Sequence, residues 1–357
     1  MILNSQGWSW SKNMSDKRTI SAVLGAFIFV VGAGSVVGNI ITGEGLPNPN
    51  PVLTNEWGEL PAGRTWGHTA GIDIDPTDGH VWAYERCGSA AGMAAGGPVN
   101  CDTNRVDPIF KFDRHTGEVL ANFGAGIFTI PHGIHADHEG NVWVTDFATN
   151  ADGTHFNQPN DVVVAADGSI FVSDGHSGQG MTTAAAVEEG RQAGQTGRIM
   201  KFAPDGAFIT QWGQLGTAHG EFRTPHALEI DSRDRLWVAD RGNHRLEIFD
   251  LDGNYLESRY SYGRISGIFI TEDDMVYAID SESNPFNHIN WIAGVRIGPL
   301  DEDEIVAFIP GYPTETRGYQ STAGEGVAVA GDGTVFVAEG PASIPIAGGA
   351  FSRYSAE

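Results

Sequence analysis

A six-bladed, all-β propeller is the fold class this chain predicts, on three observations. A hairpin pattern recurs six times, successive copies lie about forty residues apart, and the two chain ends carry complementary fragments of one unit. With 48 Gly in 357 residues and frequent alternation of Val, Ile, Phe and Trp with polar residues, short strands and tight turns are favoured over helices.

Taken in order, residues 1–19 read as an N-terminal cytoplasmic extension, with Met14 as an alternative start. Residues 20–42 carry no charged side chain and follow Lys17 and Arg18. That predicts a signal segment or, from its length and the lack of an Ala-x-Ala site, a single membrane anchor with an exported domain. The Gly, Pro and Asn of 43–51 read as a linker, and the propeller is expected over 52–357.

The repeat is clearest from Asp161 to Asp174, where alternating residues flank the Asp167-Gly168 turn. The same form recurs over Ile72–Tyr84, Ile134–Asp146, Leu228–Asp240, Ile268–Asp280 and Val327–Glu339. An outer strand pair follows at Arg198–Gly213, around Asp205-Gly206, and again at Arg245–Tyr260. Val52–Gly58 resembles the outermost strand Phe208–Gly213, whereas the last copy stops after a third strand, Phe351–Tyr354. The N-terminal segment is therefore expected to close the last blade and remove an open edge.

Blade two is short. Pro131 and Pro159 begin successive copies, which leaves no room for two outer strands after Phe147. The gap lies within Ala148–His155, where either a loop replaces the strands or a segment has been lost. Insertions at Gly88–Asp107 and Ser177–Thr196 both follow a second strand, so both belong to one rim.

Lys plus Arg number 21 against 45 Asp plus Glu, a net charge of −24, which argues against nucleic acid and anionic membrane surfaces as partners. The partner expected is a small molecule or peptide substrate. Cys87 and Cys101 are the only cysteines. In an exported, periplasmic or secreted domain they would close a loop of about 15 residues, worth roughly 3 kcal/mol; otherwise they are free loop thiols.

First strands line a propeller's channel, so equivalent positions meet around its axis. The register sets Ala70, His132, Asn160, His226, Ser266 and Glu325 at one level. His132, His226 and Glu325 fall in blades two, four and six, about 120° apart, as three protein ligands of zinc or another divalent metal. His68 and His135 lie off this register and read as structural. On the rim, Arg86 and Arg241 suit a bidentate carboxylate clamp and His176 suits proton transfer near neutral pH. Asp73, Asp75 and Asp78 fit a turn rather than a calcium loop, and neither a Gly-x-Ser-x-Gly elbow nor a phosphate-binding loop occurs.

Ile130-Pro-His-Gly-Ile134, Asn141–Asp146, Phe156–Asp161, Phe171–Gly175, Phe208–Gly213, Thr224–Leu228 and Trp237–Arg241 together resemble the peptidyl-α-hydroxyglycine α-amidating lyases, within the NHL-repeat propellers. The resemblance covers about residues 52–355 and is most specific over 130–250. It implies a zinc-dependent lyase that splits a peptidyl-α-hydroxyglycine into an amide and glyoxylate, with a structural calcium in the channel. It implies His132 and His226 as zinc ligands and Arg86 and Arg241 as active-site arginines.

The departures are specific. Glu325 stands where the family has its third zinc histidine, His176 where it has a rim tyrosine, and Ala323 where it has a methionine. Gly326 replaces the acidic calcium ligand, which removes a ligand for calcium. In the expected chemistry the metal polarises the substrate hydroxyl, His176 takes its proton and the arginines hold the carboxylate. Two alternatives stand beside this: metal-assisted hydrolysis of a small ester or lactone, and a non-catalytic NHL-type binding propeller outside the membrane.

Overall fold

The computed structural model describes residues 2–3, 38–88, 101–148, 156–314 and 320–357. Five four-stranded antiparallel sheets follow one another. Blade one comprises Thr69–Ile74, Val81–Glu85, Ile109–Phe112 and Val119–Phe123. Blade three comprises Pro159–Val164, Ile170–Asp174, Arg198–Phe202 and Phe208–Trp212. Blade four comprises Pro225–Ile230, Arg235–Asp240, Arg245–Asp250 and Tyr255–Arg259. Blade five comprises Ile265–Ile270, Met275–Asp280, Gly294–Pro299 and Ala307–Pro310. The final sheet joins Gly326–Val329, Val335–Ala338 and Phe351–Ser355 to Val52–Thr54.

Five full blades are thus present among the described residues, and the second unit is short, as the spacing of Pro131 and Pro159 predicts. Between blades one and three stands only the hairpin Pro131–Ala136 and Val142–Asp146, with Ile2–Leu3 pairing along its outer strand. Most of the segment that would hold further strands, Ala148–His155, lies outside the described residues. The predicted closure is present, since Val52, Leu53 and Thr54 pair antiparallel with Ser355, Tyr354 and Arg353.

The inner strands touch in sequence, and Gly326–Val329 returns to contact Thr69–Ile74. Two glycines permit this approach. A Cβ on Gly71 would lie 2.5 Å from the His132 carbonyl oxygen, and one on Gly326 would lie 2.4 Å from that of Ala70. Any larger residue there would force neighbouring strands apart.

The hydrophobic cores lie between successive sheets. Trp57, Phe110, Phe112, Phe336 and Phe351 pack the joint between the first and last sheets. The joint beside the short hairpin is the thinnest, with Val162, Ile170 and Val172 buried and Trp143, Phe156 and Phe202 partly buried against them. Two strands can cover less of a neighbouring sheet than four.

A repeated polar device fixes the entry to each inner strand. Glu85, Asp146, Asp174 and Asp240 end second strands, and each accepts hydrogen bonds from backbone N–H groups leading into its own blade's first strand. These groups belong to Gly67, Ile130, Gln158 and Arg223, at 2.7 to 3.0 Å. Buried backbone donors need such partners. Asp75, read as a turn residue, accepts the Trp82 indole N–H at 3.0 Å, as Asp137 and Asp231 do for Trp143 and Trp237. Its bonds to Lys111, Thr77 and Trp82 outweigh burial and hold its pKa at about 2.

Cys87 and Cys101 form a disulfide, with Cα atoms 5.1 Å apart. The anchor or signal segment lies outside the described residues up to residue 37, and no described helix is long and apolar enough to cross a membrane. Its last residues and the linker lie along blade five: Arg296 donates to the Ile40 and Ile41 carbonyls at 2.8 and 2.9 Å, and Phe308 N–H to that of the linker's Pro47 at 3.0 Å.

Candidate metal centre

His132 and His226 occupy the same position at the start of their inner strands, and each is 3% exposed. Each is oriented by the next blade. His132 Nδ1–H donates to the Asn160 carbonyl at 2.8 Å, and His226 Nδ1–H to the Ser266 carbonyl at 2.6 Å. Asn160 and Ser266 are themselves register residues, so the positions without ligands in blades three and five hold the histidines of blades two and four. A carbonyl on Nδ1–H fixes the tautomer with its lone pair on Nε2 and raises the basicity of that nitrogen. His226 Nε2 is buried and has no hydrogen-bond partner among the described residues.

The third member of the group is His176. Ligand nitrogens of His132, His176 and His226 all lie within 4.8 Å of one another. Phe147 closes one side, its ring 5.6 Å from that of His132 and 4.7 Å from that of His176. All three imidazoles are held well below the ordinary histidine pKa, first by burial and then by Arg86 or Arg241. They are therefore neutral donors at physiological pH, as metal ligation requires. Three convergent neutral imidazoles and an orphaned Nε2 suit zinc or a similar ion.

The structure gathers a different trio from the one the register suggests. Glu325 is at the expected level, but no group of metal-ligating atoms among the described residues includes it. The group is drawn from consecutive blades two, three and four rather than from alternate ones. His176, two residues beyond the strand end at Asp174, comes in over the channel between His132 and His226.

The arginines surround this group. Arg241 is 1% exposed, and its Nη1 donates to Ser266 Oγ at 3.2 Å. Its Nη2 donates to His176 Nε2 at 2.9 Å and to Gln179 Oε1, while its Nε has no partner. Arg86 donates through Nε to the Pro131 carbonyl at 2.9 Å, directly before His132. Glu282 lies 3.8 Å from Arg241 and 3.1 Å from Arg264, and these cations hold its carboxyl below the usual range despite burial.

Sequence reasoning missed Phe147, Gln179 and Glu282. Phe147 directly follows its strand, as do Arg86 and Arg241, while Glu282 is offset by two, as is His176; that shared register was the available signal. Gln179 sits in an insertion and had none. Of the two histidines read as structural, His68 is buried near Arg86, whose N–H donates to its carbonyl. His135 lies deeper in the channel beside Asp73, Asp161 and Glu229, with its Nδ1 3.3 Å from Asp73 Oδ2.

An NHL-repeat model matches residues 222–249, most of blade four. Peptidyl-glycine alpha-amidating monooxygenase B of Xenopus laevis is 27% identical over 321 residues, covering 78% of this chain and 33% of that protein. The probable peptidyl-alpha-hydroxyglycine alpha-amidating lyase pgal-1 of Caenorhabditis elegans is 28% identical over 311 residues, covering 76% of this chain and 80% of that one. The chain carries an NHL repeat and is similar to amidating lyases over most of its length. This NHL-repeat protein spans about a third of the length of its Xenopus relatives. Solved structures share its fold. A gluconolactonase of Xanthomonas campestris superposes with a TM-score of 0.50 at 14% identity, covering 87% of this chain and 92% of that one. A putative gluconolactonase gives 0.51 at 16%, covering 87% and 94%.

Proposed function

We propose that this NHL-repeat protein is a zinc-dependent carbon–nitrogen lyase that splits an α-hydroxyglycine-type carbinolamide into an amide and glyoxylate. The observation that carries the reading is the trio His132, His176 and His226 lying against Arg241 and Arg86. When bound, the metal supplies Lewis acidity at the substrate's oxygen. The protein's own part is to bind and orient. Arg86 and Arg241 offer planar N–H pairs to the substrate carboxylate, and Arg241 is braced by Ser266 and Gln179 before substrate arrives. Phe147 and the buried histidines keep water from the reacting carbon.

His176 differs from the other two ligands, because Arg241 engages its Nε2 and, among the described residues, no backbone carbonyl aligns its ring. It is accordingly the weakest ligand. The ring of inner strands supports reading the whole as a six-bladed propeller with a truncated second blade. The disulfide supports an oxidising, extracytoplasmic location, to which an N-terminal anchor would hold it.

Purified protein should hold one transition metal per chain. His132→Ala with His226→Ala should abolish that binding, and His176→Ala should weaken it by about 10-fold to 100-fold. Metal-loaded protein should release glyoxylate from an α-hydroxyglycine peptide. A preparation without stoichiometric metal, whose double variant is unchanged in metal content and stability, would exclude the enzyme and leave a binding propeller.

A further inference from the structure

We propose that Glu325 is the proton-transferring catalytic residue of this site, taking the carbinol proton and returning it to the departing amide nitrogen. This rests on the lyase reading. Glu325 holds the register position of blade six, at the level of His132 and His226, and is only partly buried. Its backbone N–H is fixed to the Ala338 carbonyl at 2.8 Å, and its own carbonyl abuts Gly267 of blade five. Among the described residues the carboxylate is not in the histidine group, and Arg241 and Arg86 are the cations whose charge bears on it.

The post-strand position of the same blade explains where it points. Blades one, two and four carry Arg86, Phe147 and Arg241 just after the carboxylates Glu85, Asp146 and Asp240, and blade six carries Gly340 just after the matching Glu339. A Cβ on Gly340 would lie 2.8 Å from Glu325 Cγ and 3.1 Å from Oε1. The Glu325 side chain thus fills the space at the mouth that a rim residue fills elsewhere. The charged groups facing it are Arg241 of blade four, Arg86 of blade one and Glu282 of blade five. Burial raises its carboxyl above the usual range, while Arg241 and Arg86 oppose the rise. A carboxylate held at the mouth of the site between two arginines can accept a proton and return it within one turnover.

The step balances without a co-reactant. The O–H bond of the carbinol breaks and its proton passes to a Glu325 oxygen. The oxygen's electron pair forms the glyoxylate carbonyl, the C–N bond breaks, and its electron pair stays on nitrogen. Glu325 then gives the proton to that nitrogen, completing the primary amide. The sequence reading gives this step to His176, but its Nε2 accepts from Arg241 at 2.9 Å, and a lone pair held by the guanidinium or by a metal is not free for a proton.

Glu325→Gln, Glu325→Asp and the parent protein, each loaded with zinc, are compared for metal content, thermal unfolding and glyoxylate release from an N-acyl-α-hydroxyglycine between pH 5 and 9. The expected result is full metal content in both variants and a loss in kcat of about 100-fold or more for Gln. Asp should recover part of it, and the acid limb of the kcat/KM profile should vanish in Gln. Loss of metal from Glu325→Gln would make Glu325 a ligand and overturn the proposal, as would a Gln variant within a few-fold of the parent. If the Gln variant does not fold, a folded Asp variant with an unshifted acid limb overturns it. An inactive metal-loaded parent sinks the lyase reading itself, and the proposal with it.

Discussion

Asp161 and Glu229 line the channel beside His135 and carry their protons well into the neutral range, pushed up by burial to about 7 and about 8. The Asp73 charge adds to both shifts. The folded protein therefore holds protons that the unfolded chain has released, and the sign of the linkage follows. Stability contributed by these groups is complete below the ordinary carboxylate pKa and is lost as pH rises through about 7 and 8. Glu229→Gln keeps an oxygen to accept the Ile230 N–H. It should raise unfolding free energy at pH 8.5 by about 1–3 kcal/mol and flatten its fall between pH 6 and 8.5, measured by urea unfolding. A steeper fall in the variant would place the proton elsewhere.

At the same scale, His132 and His226 were legible because each sits in a repeated Pro-His step at one register position. The membership of His176 in this group was not legible. Register predicts where strand residues converge, whereas His176 reaches the group from a loop whose path depends on its own hydrogen bonds, such as its N–H to Gln158 Oε1 at 3.3 Å. Glu325 was correctly placed in level, but its partners depended on Gly340, a residue whose importance lies in having no side chain.

At the scale of elements, the second strands were legible almost residue for residue, because alternation, an Asp turn and a terminal carboxylate all mark them. The outer strands were less so. They are half exposed, as in Phe208–Trp212, and burial there enforces no strict pattern. The loop after Val81–Glu85 is tied by Cys87–Cys101, 14 positions apart, and leads into Arg86's side of the site. Cys87→Ser with Cys101→Ser should lower stability by roughly 3 kcal/mol, read as a shift in urea midpoint. A midpoint that does not move would mean that packing alone holds the loop.

For the whole molecule, the joint between the first and last sheets decides integrity. Trp57 is 5% exposed there, with its ring 4.6 Å from Phe336 and 5.6 Å from Phe112. Trp57→Ala should cost about 3–5 kcal/mol and lower the melting temperature of the entire protein in one transition. Two separate transitions would show that the joint can open while the blades persist. Closure was legible from the matching fragments at the two ends, and so was the short second unit, since a hairpin can hold a place in the ring without outer strands.

The pairing of Val52–Thr54 with Phe351–Ser355 also sets an order in time. Synthesis runs from the N-terminus, so the strand made among the first must wait for the one made last. Until then Trp57 has no Phe336 or Phe351 to cover it. A ribosome stalled short of residue 351 would carry five blades' worth of sequence that still cannot lock.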